Sequence, residues 1–354
     1  MTDCKTLLKN HAHLYPNMQP CDAVKLLYQR AFGGGHLITD ETSCFQRIVT
    51  EYQNRIANLS PLCEFLGNGN MRLSLAAVDT QVLPLECVSQ LFIRSASRTV
   101  PLSMEQFQES LKVLEQVCKE GAFSFSQQEL KNYLKEYTSQ GYPMVSHSPQ
   151  YREAYHPCYR IIRREYEPLF PLIGEIFRKM QSQSRVVIAL EGKAASGKTT
   201  AADLLADLFH GAVVHMDDFF LPPALRTESR IQEPGGNVHY ERFAEEVIPH
   251  LKESLPFSYQ KFSCCKMDYD GEVSLPDVPL VIVEGAYCLH PYFSFPYDLK
   301  IFFDVTSKTQ KQRIIARNGE EMYQNFAQRW IPMEYQYFSH FSIPEQCEMI
   351  ITTE

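Results

Sequence analysis

The sequence lacks the features that mark several classes of protein. No apolar run approaches the length that a bilayer-spanning helix needs. Residues Met1–Cys4 carry neither the charged nor the apolar region of a secretory signal. The 34 Lys and Arg are outnumbered by 42 Asp and Glu, and the net charge of −8 argues against a nonspecific nucleic-acid or membrane surface. These absences predict a cytoplasmic protein with no nucleic-acid or membrane partner.

The cysteines also form no recognisable framework. There are 11 of them, an odd and scattered set without a CxxC pair. That pattern is typical of reduced thiols rather than of disulfides or a zinc site. No internal repeat or low-complexity tract occurs, and 354 residues suit two domains better than one.

A glycine-rich loop that fits the pattern GxxxxGK[ST] is the most informative stretch. An apolar run, Arg185–Leu190, precedes it, and leucines at helical spacing follow it as far as Phe209. A glycine loop between a strand and a helix N-terminus binds phosphate groups through its backbone N–H groups. Lys198 would reach the β- and γ-phosphates of ATP, and Thr199 would hold Mg²⁺. The predicted nucleotide contacts are Gly192, Lys193, Ala194, Ala195, Ser196, Gly197, Lys198, Thr199 and Thr200.

Two acidic residues follow the next two predicted strands. Asp217 comes after Ala212–His215, and Glu284 comes after Pro279–Val283. Ligands of parallel sheets lie beyond the carboxyl ends of the strands, so both carboxylates are expected to face the loop. Asp217 is then the candidate catalytic base, and Glu284 a candidate Mg²⁺ ligand. The alternatives are an acidic turn or helix cap for Asp217 and an ordinary loop carboxylate for Glu284.

Two arginines share one face of a predicted helix. Ser307 and Gln310 form a capping box at its start, and Asn318-Gly319 marks its end. Arg313 and Arg317 lie four residues apart, so their guanidinium groups could clamp a transferring phosphoryl group. The alternative is a solvated charged face. A further helix is predicted to stop before Pro332.

The pattern predicts an α/β fold for the second half of the chain. Strands and helices alternate from Arg185 onward, which indicates a three-layer P-loop domain with a mainly parallel sheet over residues 166–354. Residues 1–165 are predicted to form a mostly helical domain of unknown role. Capping boxes begin helices at Ser103 and Ser126, another helix is predicted over 42–59, and a strand over 71–78.

Together these motifs resemble the uridine kinase/phosphoribulokinase family of P-loop kinases, with the uridine kinase branch nearest. The resemblance covers residues 184–343, about half of the chain. It implies ATP-dependent phosphorylation of a primary hydroxyl with Mg²⁺, most readily that of a nucleoside. Asp217 matches the family's base, and Arg313 and Arg317 match its mobile lid. Phosphoribulokinases and pantothenate kinases share the skeleton, so other acceptors stay open.

Two segments resemble the family's acceptor-binding elements but depart from them. His239 stands where uridine kinases usually have an Asp, and Ser263 replaces an acid in the second segment. The loss of these acids leaves open a negatively charged acceptor, or a nucleotide-binding regulator that transfers no phosphate. The predicted substrate contacts are His239, Tyr240, Arg242, Tyr259 and Lys261.

The first half carries one weaker functional hint. The loop Gly33–His36 has more glycine than a helix end requires, and Ser146–Ser148 places His147 among polar groups. A second small-molecule site with His36 and His147 would make the protein bifunctional. Structural turns with a packing surface or a homo-oligomer contact are the favoured interpretation.

Overall fold

The computed structural model describes residues 3–56, 61–253 and 256–353. The chain divides into two compact units, Met1–Phe170 and Pro171–Glu354, close to the predicted boundary between residues 165 and 166. Across the described ranges, no helix combines the length and apolarity that crossing a bilayer requires.

The first unit is mostly helical. Its buried core joins apolar faces of α1, α2, α5 and α6, including Leu8, Val24, Phe107 and Leu130. Both predicted capping boxes are present, at Ser103 and at Ser126. Its helices are α1 (Cys4–Leu14), α2 (Pro20–Phe32), α3 (Glu41–Gln53), α4 (Leu85–Arg98), α5 (Met104–Lys119), α6 (Gln127–Ser139) and α7 (Pro149–Tyr155). The predicted helix over 42–59 therefore ends at Gln53, and its residues 57–59 lie outside the described part.

A small antiparallel sheet completes this unit. Its strands are β1 (Cys63–Gly67), β2 (Asn70–Ser74) and β3 (Tyr159–Arg163), in the order β1-β2-β3. The strand predicted over 71–78 corresponds to β2. A tight turn with positive φ at Gly67, Asn68 and Gly69 joins β1 to β2, so this glycine-bearing loop serves a hairpin.

The second unit is built around a five-stranded parallel sheet. Its helices are α8 (Phe170–Ser182), α9 (Lys198–Phe209), α10 (Glu228–Gln232), α11 (Tyr240–Glu246), α12 (Ser307–Asn325) and α13 (Ile331–His340). Its strands are β4 (Val186–Gly192), β5 (Ala212–His215), β6 (Phe257–Ser263), β7 (Asp268–Leu275), β8 (Leu280–Glu284), β9 (Leu299–Val305) and β10 (Met349–Thr353). The sheet order is β10-β9-β4-β8-β5, and β6 and β7 form a separate hairpin. This confirms the predicted α/β fold.

Strand β4 lies at the centre of the sheet, and every one of its residues is buried. It pairs in parallel with β8 and β9, and Leu190 lies opposite Glu284. Gly192 ends the strand at φ 136°, where a Cβ would approach the Phe303 carbonyl oxygen to within 2.2 Å. Only glycine fits this close approach between two strands, so the loop motif begins at a position fixed by packing.

Three local predictions near the carboxyl end of the chain need correction or extension. Helix α12 is capped by Thr306, whose side chain accepts from the Thr309 N–H, rather than by Ser307. The helix end predicted at Asn318-Gly319 is a break inside α12, which continues to Asn325; Gly319 there has non-helical φ 84° and ψ 165°. The helix predicted to stop before Pro332 corresponds to a π-helical turn, Phe326–Trp330, which runs directly into α13, and Pro332 lies in the first turn of α13.

Candidate active site

The phosphate loop lies between β4 and α9, as the motif predicts. Lys198 begins α9, and its buried ammonium donates to the carbonyl oxygens of Gly192 (2.7 Å) and Lys193 (2.8 Å). The backbone turns through positive φ at Ala195 (57°) and Gly197 (96°). This conformation curls the loop around the lysine, as a cradle for phosphate groups requires.

A hydroxyl and a carboxylate meet beside the loop. The Thr199 Oγ1 lies 3.2 Å from both Glu284 carboxylate oxygens, and Glu284 is buried at the end of β8. His215, at the end of β5, places its Nδ1 2.6 Å from Glu284 Oε1, and this hydrogen bond raises the pKa of His215.

This pair fits the predicted Mg²⁺ site. Magnesium prefers hard oxygen donors and keeps several water or phosphate ligands, so one carboxylate and one hydroxyl suffice from the protein. Within the described ranges, no group of three or more His, Cys, Asp and Glu residues could hold a metal ion by itself.

Asp217 lies in a turn of 3₁₀ helix directly after β5. Its side chain is open to solvent, yet the walls of the site crowd it. This partial desolvation, followed by the charge of Glu284, raises the pKa of Asp217, while Lys198 and His215 oppose the rise. The carboxylate therefore shares its electrostatic surroundings with the phosphate loop and the candidate Mg²⁺ ligands.

A buried carboxylate that was not predicted from the sequence accepts hydrogen bonds from the start of the loop and from neighbouring segments. Glu191 ends the apolar run of β4 and accepts hydrogen bonds from the backbone N–H groups of Gly192 (2.9 Å), Tyr287 (3.0 Å) and Leu289 (3.1 Å). The Tyr337 hydroxyl donates a fourth, at 3.1 Å. Burial raises the pKa of Glu191 to about 7. One side chain thus ties the loop to the segment that follows β8 and to α13.

We expect Glu191→Ala to lower the free energy of unfolding by about 3–5 kcal/mol, because it leaves four buried donors unpaired. Urea unfolding monitored by circular dichroism measures this. Glu191→Gln keeps a carbonyl acceptor and should lose clearly less. A loss below about 1 kcal/mol for the alanine variant would show that the donors find other partners.

A second unanticipated carboxylate contacts the loop directly. Glu334, in the first turn of α13, is buried and accepts a hydrogen bond from the Ala194 N–H at 2.9 Å. Burial raises the pKa of Glu334 to about 7, against the opposing charge of Lys198.

Side chains of α12 and β10 donate hydrogen bonds to carbonyl oxygens of the loop. Arg313 donates to the Ala195 carbonyl oxygen (3.2 Å) and to Thr353 Oγ1 (2.7 Å), and Thr353 in turn donates to the Ser196 carbonyl oxygen (2.7 Å). Arg317 is exposed and contacts the neighbouring Asn318 side chain at 2.7 Å. Of the two predicted lid arginines, Arg313 therefore contacts the loop in the described structure, through the Ala195 carbonyl oxygen.

The chain is similar to known proteins over part of its length. No family model matches the chain. Nicotinamide riboside kinase of Saccharomyces cerevisiae is 28% identical over 187 residues, which cover 46% of this chain and 76% of that protein. The second half of the chain resembles the uridine kinase-like P-loop kinases.

The solved structures that are similar to this chain cover about half of it. A possible uridine kinase from Bacillus stearothermophilus matches 51% of this chain and 98% of its own, at 18% identity and a TM-score of 0.38. A putative fructose transport system kinase from Silicibacter sp. TM1040 matches 51% of this chain and 96% of its own, at 19% identity and a TM-score of 0.36.

Three of the five predicted acceptor residues, Arg242, Tyr259 and Lys261, lie next to Asp218. The buried Asp218 carboxylate accepts from the Tyr259 hydroxyl (3.1 Å) and lies 3.6 Å from the Lys261 ammonium. Tyr259 is buried, whereas about half of the Lys261 side chain is exposed. The β6–β7 hairpin thus brings two predicted residues next to the acid that follows Asp217.

Arg242 is occupied by the protein itself. Its guanidinium donates to the carbonyl oxygens of Asp218 (2.5 Å) and Gln260 (2.6 Å) and lies over the Phe219 ring at 4.1 Å. It is buried, with 7% of its surface exposed. In this arrangement Arg242 stabilises the wall of the site, and its contact with an acceptor stays a prediction.

His239 and Tyr240 lie where α11 begins. The His239 ring is half-buried, burial lowers its pKa, and its Nδ1 finds no hydrogen-bond partner in the described part of the chain. Tyr240 stacks on His290 with ring centroids 4.5 Å apart, and the Arg230 guanidinium lies over the Tyr240 ring at 3.7 Å. A neutral imidazole with a free nitrogen can bond one acceptor hydroxyl, whereas Tyr240 is held by its neighbours.

The histidines of the first unit have different surroundings. The three glycines before His36 allow close packing, since a Cβ on Gly34 would lie 2.9 Å from Phe92. His36 is exposed, whereas His147 is buried between Asp22 (2.8 Å) and the Tyr159 hydroxyl (2.6 Å). Burial lowers the pKa of His147 to about 4. These contacts account for both segments by packing, and the second active site stays a prediction.

Proposed function

We propose that the protein is an ATP-dependent small-molecule kinase that phosphorylates a primary hydroxyl, with a nucleoside as acceptor. One observation carries the proposal: a phosphate loop with its lysine, a hydroxyl–carboxylate pair for Mg²⁺ and a further carboxylate meet at the carboxyl ends of β4, β8 and β5. The resemblance to nicotinamide riboside kinase and to uridine kinase-like proteins supports a nucleoside.

Separate groups of residues would bind the triphosphate, bind Mg²⁺ and accept the proton. The loop N–H groups and Lys198 would hold the triphosphate, and Thr199 and Glu284 would hold Mg²⁺, which neutralises phosphate charge when bound. Asp217 would accept the proton of the acceptor hydroxyl. The oxygen of that hydroxyl bonds to the γ-phosphorus while the bond between the γ-phosphorus and the β–γ bridging oxygen breaks. Positioning and charge neutralisation would supply most of the acceleration.

The lid assignment is also a proposal. Arg317 precedes the break at Gly319, so its exposed guanidinium is placed on the part of α12 next to a flexible joint. Closure of this segment over the triphosphate would bring Arg317 to the transferring group, while Arg313 would keep the loop in shape from outside.

The test is product detection by mass spectrometry after incubation with Mg·ATP and a panel of acceptors. The panel contains uridine, cytidine, nicotinamide riboside, pantothenate and sugar phosphates. Phosphorylation of a nucleoside supports the proposal, and turnover of another member alone would reassign the acceptor. Tight ATP binding without any phosphorylated product, from the panel or from a metabolite extract, would favour a nucleotide-binding regulator.

A further inference from the structure

The Glu334 carboxylate occupies a position where the phosphate loop would hold a negative group of its ligand. Its Oε2 accepts the Ala194 N–H at 2.9 Å, and that N–H belongs to the loop whose backbone donors would face the triphosphate. With only 7% of its surface exposed, Glu334 is committed to this contact rather than to water.

The charges that act on Glu334 come from several elements of the site. Lys198 of α9 attracts the carboxylate, whereas Glu191 of β4 and Asp217 after β5 repel it. The Tyr287 hydroxyl, from the segment after β8, is also close enough to interact with it. Glu334 thus shares Lys198, the cation expected to bind the phosphates, with two other carboxylates.

Because one N–H donates well to one strong acceptor, the carboxylate and an incoming phosphate compete for Ala194 and for Lys198. The two anions also repel each other at short range in a partly desolvated site. We propose that Glu334 occupies the Ala194 N–H of the phosphate loop in the nucleotide-free protein and thereby lowers the affinity of the protein for ATP. ATP would then bind only when this carboxylate leaves the Ala194 N–H or takes up a proton. This inference rests on the proposed ATP site.

The test is calorimetric titration of the full chain with Mg·ATP, comparing Glu334→Gln with the wild type. At pH 8 we expect the variant to bind about tenfold more tightly, because it removes the repulsion and keeps a neutral group of the same size. Glu321→Gln removes one charge from an exposed position of α12 and is the matched control, expected to bind like the wild type.

The pH dependence provides a second arm. Since burial raises the pKa of Glu334 to about 7, the wild-type carboxyl is mostly ionised at pH 8 and mostly neutral at pH 6. The difference in affinity between wild type and Glu334→Gln should therefore shrink as the pH falls from 8 to 6. The comparison at each pH cancels the titration of ATP itself.

Amide hydrogen exchange tests the contact without nucleotide. Glu334→Ala, which offers no acceptor, should speed exchange of the Ala194 amide while the circular dichroism spectrum stays that of the wild type. Equal or weaker ATP binding by Glu334→Gln at pH 8, in a protein whose wild type binds Mg·ATP, would overturn this inference and leave the proposed function standing. Absence of Mg·ATP binding by wild type and variant alike would overturn both.

Discussion

Asp217→Asn is expected to lower kcat by about 10²–10⁴-fold, the range for loss of a positioned general base. The amide keeps the shape of the side chain but cannot take the acceptor proton. Since Asp217 forms part of the open wall rather than the core, the fold and the affinity for Mg·ATP should be retained. Steady-state kinetics on the acceptor identified by the panel, with ATP binding measured separately, give both quantities.

The neighbouring acid is the matched control for this substitution. Asp218 is buried and already accepts from Tyr259, so Asp218→Asn should weaken acceptor binding or stability more than the chemical step. Near-wild-type kcat for Asp217→Asn, with a large loss for Asp218→Asn, would move the base to Asp218 and contradict the proposed assignment.

Lys198→Ala is expected to lower kcat/KM by about 10³-fold, because the triphosphate loses the cation that neutralises its terminal charge. The ammonium lies inside the loop, held there by two carbonyl oxygens. Its removal leaves the strands and the helix of the unit in place. Mg·ATP titration and steady-state kinetics should both show the loss.

Lys193→Ala separates this role from a general effect of positive charge. Lys193 belongs to the same loop, but its ammonium pairs with Asp304 at 2.6 Å. Lys193→Ala should leave kcat/KM nearly unchanged, since a partly exposed ion pair contributes little to the stability of the loop. Equal losses for the two lysine variants would show that the loop acts through its overall charge and not through Lys198.

Local signals made the core of the site predictable. The strand, loop and helix around Lys198 are adjacent in sequence, and parallel-sheet topology alone places Asp217 and Glu284 near the same edge. The β6–β7 hairpin and β10 were not anticipated. Strand β7 carries little apolar patterning, since only one of its eight residues is buried.

The two buried glutamates could not be predicted for different physical reasons. Glu191 continues an apolar strand, and its partners are backbone donors that leave no trace in the residue pattern. Glu334 lies 140 residues from the loop N–H that it contacts. The interpretation of Pro332 as a helix end also hid the turn that carries it. A proline followed within the next turn by Glu fits a helix start equally well, and that signal was available.

The strand order carries a consequence for biosynthesis. Strand β4 emerges from the ribosome before both of its neighbours, because β8 and β9 follow only after the whole segment that contains β5, β6 and β7. A mainly apolar central strand must therefore remain unpaired until β8 is made, which slows folding and exposes an edge prone to aggregation. Slowing the ribosome within that interval, or depleting chaperones, should lower the yield of native protein even when the finished chain is stable.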